Sequence, residues 1–156
     1  MARMVDPDHE WATLVGRLLI AFAAMESVTH HCLKEWLNES VYRHLAKMRF
    51  SQRIDLVIDL AKEKQSPPEK IEIFISNLKK ARKLAEKRNA VAHNPLVLCL
   101  FQGEEEFKEA IASDKKEDEV IQLSELQQMV IEAEALEEEL SDSKVRLREH
   151  EWKPLS

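Results

Sequence analysis

Glycine is almost missing: Gly16 and Gly103 are the only two in 156 residues. So few flexible joints exclude a Gly-rich phosphate loop and an all-β fold built on tight turns, and they favour long helices. Cysteine is equally scarce. Cys32 and Cys99 stand far apart, each in apolar surroundings, which excludes a disulfide scaffold and suits reduced, buried thiols in a cytoplasmic protein. The best apolar run, Leu18 to Met25, falls far short of the roughly 20 residues that a membrane span needs. No charged-then-apolar opening marks a secretion signal. HExxH, paired CxxC and phosphate-loop motifs are lacking too, so neither a metal nor another cofactor is expected.

What is present describes one charged, globular domain over 1–156. Apolar residues make up 44% and charged residues 33%, enough to bury one core beneath a highly charged surface. The net charge of −6 is unevenly spread. Residues 43–94 hold 13 Lys or Arg against six Asp or Glu, a local +7, whereas residues 103–151 hold 17 acids against six bases, a local −11. Two solvated helix faces that neutralise each other would look like this; so would a local polyanion site, which needs local rather than total positive charge.

Periodicity predicts a bundle. Trp11, Leu14, Val15, Leu18, Leu19, Phe22, Met25, Thr29, Cys32, Leu33 and Trp36 recur at three- and four-residue steps, which predicts one helix from Pro7 to Leu37. Gly16 inside it suggests a close helix contact. A short helix follows Ser40, and another follows Ser51 with Ile54, Val57, Ile58 and Ala61 on one face. Ser66-Pro67-Pro68-Glu69 reads as a cap, a first helical proline and a capping-box glutamate. The helix it opens carries Ile71, Phe74, Ile75, Leu78, Ala81, Leu84, Ala85 and Ala92 inward and stops near Asn94, because Pro95 forces the preceding residue out of helical geometry. Leu96–Phe101, a turn at Gln102-Gly103, and part of Phe107–Ser113 predict a small β-hairpin within an insertion over 96–119. Lys115–Glu119 reads as a charged link. Ser124-Glu125-Leu126-Gln127 predicts a capping box for a last helix to about Leu140, and the end, with Trp152 and Pro154, reads as irregular. The fold class is therefore mainly α: an antiparallel helical bundle with a small hairpin insertion before the last helix.

Two residues break the apolar pattern. Arg88 follows Ala85 by three and precedes Ala92 by four, which puts a guanidinium on an inward stripe, where an unpaired charge is costly. Glu26 follows Phe22 by four and lies on the stripe of the first helix. Pairing the two solves both problems, either as a device that orients Arg88 or as a purely structural salt bridge. His93 ends the same helix as Arg88. Five residues span about 140° of helical rotation, so the two share no face unless His93 swings back beyond the helix end; Asn89 and His93, four apart, do share one. A single chain thus offers a poor one-Arg, one-His site. Two chains packed with these helix ends together would offer a pocket with two copies of each residue.

The segment Arg88-Asn89-Ala90-Val91-Ala92-His93 resembles the HEPN signature, an arginine followed after four to six residues by histidine, with a polar residue straight after the arginine. The surroundings resemble that family as well: a long amphipathic first helix, the motif at the end of a later long helix, then an insertion and a closing helix. Asn94-Pro95 departs from the glycine that follows the histidine in many relatives. The resemblance implies a homodimeric, metal-independent endoribonuclease, of the kind that serves as the toxin of toxin–antitoxin or phage-defence systems. An antitoxin or nucleotidyltransferase-type protein would be its partner. The chemistry suits these side chains. RNA supplies its own 2′-hydroxyl nucleophile, an imidazole with an ordinary pKa of about 6.5 can take its proton, and a guanidinium can hold two phosphate oxygens in the transition state. His93 would be the base, or one of an acid–base pair across the dimer, Arg88 the phosphate clamp, Asn89 a positioning donor and Glu26 the residue that orients Arg88. Products would carry 2′,3′-cyclic phosphate ends. Lys79, Lys80, Lys83 and Lys87 would guide the RNA, or serve only solubility.

Other candidates carry less. His30-His31-Cys32 has metal-friendly side chains, but neighbours on a helix point apart and no second cluster completes a site. Glu104-Glu105-Glu106 and Glu137-Glu138-Glu139 read as solvated surface, and Trp11, Trp36 and Trp152 as core or interface anchors. Two further readings stand beside the nuclease. One is a catalytically inactive HEPN-like module that binds RNA or protein; the other is a plain helical interaction protein whose Arg88–Glu26 pair is structural.

Overall fold

The stripe that begins at Trp11 forms α1 (Glu10–Trp36), whose buried residues include Trp11, Leu14, Leu18, Phe22, Met25, Cys32 and Leu33. The computed structural model describes residues 9–116 and 118–148; Pro7, Trp152 and Pro154 lie outside them. After α1 come α2 (Glu39–Leu45), α3 (Phe50–Lys62), α4 (Pro68–His93), three strands β1 (Leu96–Leu100), β2 (Phe107–Ala112) and β3 (Val120–Gln122), and α5 (Leu123–Arg148). The fold is mainly helical, with a small antiparallel sheet before the last helix.

Cross-helix contacts fix the directions. Arg17 and Glu134 form a two-pronged ion pair, while Gln127 reaches Glu10 and Lys144 reaches Glu35; α1 and α5 therefore run the same way. Arg53 meets Thr29 and Lys64 lies over Trp36, so α3 runs with α1 as well. Phe74 meets Trp36 and Arg88 meets Glu26, which turns α4 against the other three. The chain returns from the end of α1 to the start of α3 by way of α2, capped by the Asn38 side chain accepting from the Val41 N–H at 3.0 Å. Phe22, Leu18, Met25, Leu33, Ile54, Phe74, Leu78, Leu126, Met129 and Leu140 are fully buried in one core. Each such side chain contributes about 1.5–3 kcal/mol relative to exposure.

Several local expectations change. The cap of α4 is Pro67 and its first residue is Pro68. Pro67 is extended (ψ 133°), because the residue before a proline is driven from the helical region. Ser66 instead donates its hydroxyl to the Leu147 carbonyl at 3.1 Å. At the other end of α4, Ala90 and Val91 are buried and Ala92 is exposed. The last helix begins at Leu123, so Ser124 is not its cap, and it continues past Leu140 to Arg148. Its extra turns are held by tertiary contacts: Ser143 and the Glu139 carbonyl bind the buried Asn77 amide, and Leu147 is buried.

The sheet order is β1-β2-β3. The hairpin predicted over 96–113 is present, with Leu96 opposite Ile111 and Leu100 opposite Phe107. Its turn holds Gly103 at φ 87°, a conformation that side chains with a Cβ resist. The charged link ends in a third strand pairing Ile121 with Ile111.

Gly16 marks no close helix contact. A Cβ placed there meets nothing within 4 Å. Gly16→Ala should therefore raise stability by about 0.5–1 kcal/mol, seen as a higher urea midpoint with an unchanged slope. By length and composition α1 as a whole is also long and apolar enough to cross a bilayer, although its central run alone is not. Its apolar stripe is packed instead against the other helices.

Candidate functional site

The middle of α1, the start of α3 and the end of α4 converge on one carboxylate. Arg88 Nη2 donates to Glu26 Oε1 at 3.0 Å, and Arg53 Nη2 donates to Glu26 Oε2 at 3.3 Å. Arg53 is further fixed by donating Nε to Thr29 Oγ1 and Nη1 to the Met48 carbonyl, both at 2.8 Å. The two guanidinium groups lie over Phe22 (Arg88, 5.0 Å) and Phe50 (Arg53, 5.7 Å), and those rings meet edge to face. Two cations around one anion leave a surplus positive charge, and aromatic faces hold it in place without neutralising it.

The two arginines are not equivalent. Side-chain exposure is 4% for Arg53 and 20% for Arg88. Arg53 is the buried anchor that fixes Glu26; Arg88, at the rim, keeps a fifth of its side chain exposed while Glu26 sets its orientation. Arg88 Nε is buried and makes no hydrogen bond. Its remaining terminal N–H groups can meet an anion.

Arg53 was not among the residues singled out from the sequence, yet the signal was there. It follows Phe50 by three and precedes Val57 by four, the same charged interruption of an apolar stripe that exposed Arg88 and Glu26. Beside it, the His30 imidazole shares a hydrogen bond with the Tyr42 hydroxyl (3.2 Å). His31 is exposed and Cys32 buried, so the three neighbours diverge. Burial, then the nearby positive charge of Arg53, pushes the His30 imidazole below its usual range. The unfolded chain thus binds the proton more readily than the folded one. This contribution to stability is complete above about pH 6.5 and is lost as pH falls through the lowered folded value. Urea midpoints measured between about pH 7.5 and 5.5 should fall with acid, and His30→Gln should flatten that decline.

His93 is the last residue of α4 and remains helical. The swing back toward Arg88 does not occur, because helical geometry persists until Asn94, which is extended at φ −114°, ψ 148°. Asn94 stands where a glycine would release the chain. Its amide donates to the Ala90 carbonyl (2.9 Å) and to Glu119 Oε2 (3.3 Å), tying the helix end to the approach of β3. Asn89 and His93 are both exposed and share a face about 100–140° round the helix from Arg88. One chain therefore unites Arg88 with Glu26 and keeps His93 on a neighbouring face.

No family model, curated protein or solved structure matches this chain.

The four lysines divide. Lys80, Lys83 and Lys87 line a shallow groove of about 510 Å³ between α4 and α5, together with Glu132 and Glu139. Lys80 pairs with Glu139 at 3.5 Å and Lys87 approaches Glu125 at 3.9 Å. Lys79 is exposed and does not line the groove. Part of the basic centre is thus neutralised by the acidic last helix, at exposed pairs worth little to stability.

Proposed function

We propose that this chain is a cytoplasmic, metal-independent endoribonuclease of the HEPN type that works as a homodimer. The observation that carries the reading is the Arg88–Glu26–Arg53 cluster at the end of α4, with exposed Asn89 and His93 on the adjoining turn. A guanidinium braced by a carboxylate, itself anchored from behind, suits a preorganised phosphate clamp. His93 would take the 2′-hydroxyl proton, the oxygen would attack its neighbouring phosphorus, and the 5′-oxygen would leave with a proton from the histidine of the second copy. The products would be a 2′,3′-cyclic phosphate and a 5′-hydroxyl. Because Arg88 and His93 occupy different faces of one helix, a composite pocket across two chains would bring them to one phosphate. A role as the toxin of a toxin–antitoxin or phage-defence pair, with an antitoxin or nucleotidyltransferase-type partner, extends this reading.

The second reading is a catalytically inactive module of the same type that binds RNA or protein. The pairing of Lys80 and Lys87 with acids of α5 favours it, since a strand of RNA would have to displace those acids. Incubation of a mixed RNA in EDTA separates the two. Cyclic-phosphate ends that vanish in folded His93→Ala support the nuclease, and their absence from the wild-type digest moves the choice to the binding module.

A further inference from the structure

Residues 40–54, which run from α2 into the start of α3, contain no acid. They carry Arg43, Lys47, Arg49 and Arg53, with His44 next to Arg43. Arg53 is the buried anchor of the Glu26 cluster, and Arg43 pairs with Glu39 on its own helix. Lys47 and Arg49 are exposed, and among the described residues no acid pairs with either. The two flank Met48, whose carbonyl accepts from Arg53 Nη1 at 2.8 Å. Through Arg53 and Glu26 that turn is tied to Arg88. The other end of the segment is tied to α1: Tyr42 shares a hydrogen bond with His30, and the Lys34 ammonium lies 5.4 Å from the Tyr42 ring centre.

Two basic surfaces thus compete for a polyanion, and their acids separate them. In the groove between α4 and α5, Lys80 and Lys87 pair with Glu139 and Glu125, and Glu132 lies among them. A polyanion entering there meets carboxylates as well as ammonium groups and loses part of its attraction. Along 40–54 it would displace Glu39 alone, from an exposed pair of little strength. We propose that the turn between α2 and α3 is a binding track for the backbone of single-stranded RNA, with Lys47 and Arg49 on its phosphates and Arg88 at its end. A single strand can turn its 2′-hydroxyl in line with the neighbouring phosphate, which a duplex backbone resists. The contacts are charge to phosphate, so the strand is held without base preference. This track rests on the nuclease reading for its substrate, and it names the surface that delivers the strand to Arg88. A strand arriving this way displaces none of the acids of α5.

The test is fluorescence anisotropy with a mixed-sequence single-stranded RNA whose 2′-hydroxyls are methylated, so that it binds without being cut. The wild type, Lys47→Gln with Arg49→Gln, and Lys80→Gln with Lys83→Gln are titrated over a range of salt. The two double variants change the charge equally, so a greater loss in the first locates the strand. Each phosphate contact contributes about 0.7 to the slope of log affinity against log salt for a single strand. The first double variant should therefore lose about 1.4 from that slope, or roughly 25-fold in affinity at about 0.1 M salt if it matches the wild type at about 1 M. The second should lose less. An equal or greater loss in the second overturns the track, as does no loss in the first or a wild type that fails to bind at low salt. Cleavage of unmethylated RNA is read separately. Cleavage that survives while the track fails leaves the nuclease intact by another route; binding that depends on Lys47 and Arg49 without cleavage keeps the track and removes the nuclease. If the first double variant fails to fold by circular dichroism, Lys47→Gln alone decides, in the turn outside both helices, with a slope change of about 0.7 expected.

Discussion

His93→Ala is expected to lower metal-free RNA cleavage by about 10²–10⁴-fold, the range for losing a positioned acid–base group. Its stability should stay within about 0.5 kcal/mol, because His93 is an exposed helix-terminal residue. Arg88→Ala should cost about 10²–10³-fold, as for removal of one transition-state donor. Arg88→Lys should rescue little, since an ammonium cannot reproduce the planar fork. In Arg88→Ala the Glu26 carboxylate keeps Arg53 as its partner, so the cluster survives and the activity comparison is between folded proteins. Rates of cyclic-phosphate formation, with each variant's oligomeric state checked, provide the measurement. Equal cleavage by the wild type, His93→Ala and Arg88→Ala would refute the roles assigned to both residues.

Arg53→Ala should produce the largest loss of stability, about 3–5 kcal/mol, the cost of removing one member of a buried ion pair. The change would strip Glu26, Thr29 and the Met48 carbonyl of their shared donor at a position 4% exposed. At about 2–4 °C per kcal/mol for a chain of this size, the Tm should fall by roughly 6–20 °C, read at fixed protein concentration because dimerisation also contributes. Arg88→Ala, at the accessible rim, should cost less. The difference between these two arginines tests the division into anchor and clamp. A larger thermal loss from Arg88→Ala than from Arg53→Ala would make Arg88 the structural residue and favour the interaction-protein reading.

The acidic helix permits a further distinction. Lys80 and Lys87 face Glu139 and Glu125 across exposed gaps of 3.5 and 3.9 Å. Glu139→Gln and Glu125→Gln should therefore leave stability nearly unchanged and tighten RNA binding if the groove guides the strand. Unchanged affinity at two salt concentrations would assign these lysines to solubility alone.

Much of the architecture was determined by the sequence itself. Periodic apolar residues and a near absence of glycine dictate long helices, Asn94-Pro95 dictates where α4 stops, and Gly103 marks the hairpin turn. The Arg88–Glu26 pair was legible because a charge on an apolar stripe must find its counterpart, and these two were the obvious candidates. Tertiary structure decided the rest. How far α5 continues depended on Asn77 and Ser143 meeting between helices. The three-residue β3 is too short to carry a period of its own. The part played by Arg53 emerges only when α1 and α3 lie side by side in the same direction, and the failure of His93 to reach Arg88 follows from a helix that keeps its geometry to its last residue. Local pattern fixes what a segment becomes; which charges meet is fixed by packing, because hydrogen bonds and ion pairs act over a few ångströms between residues that the chain holds far apart.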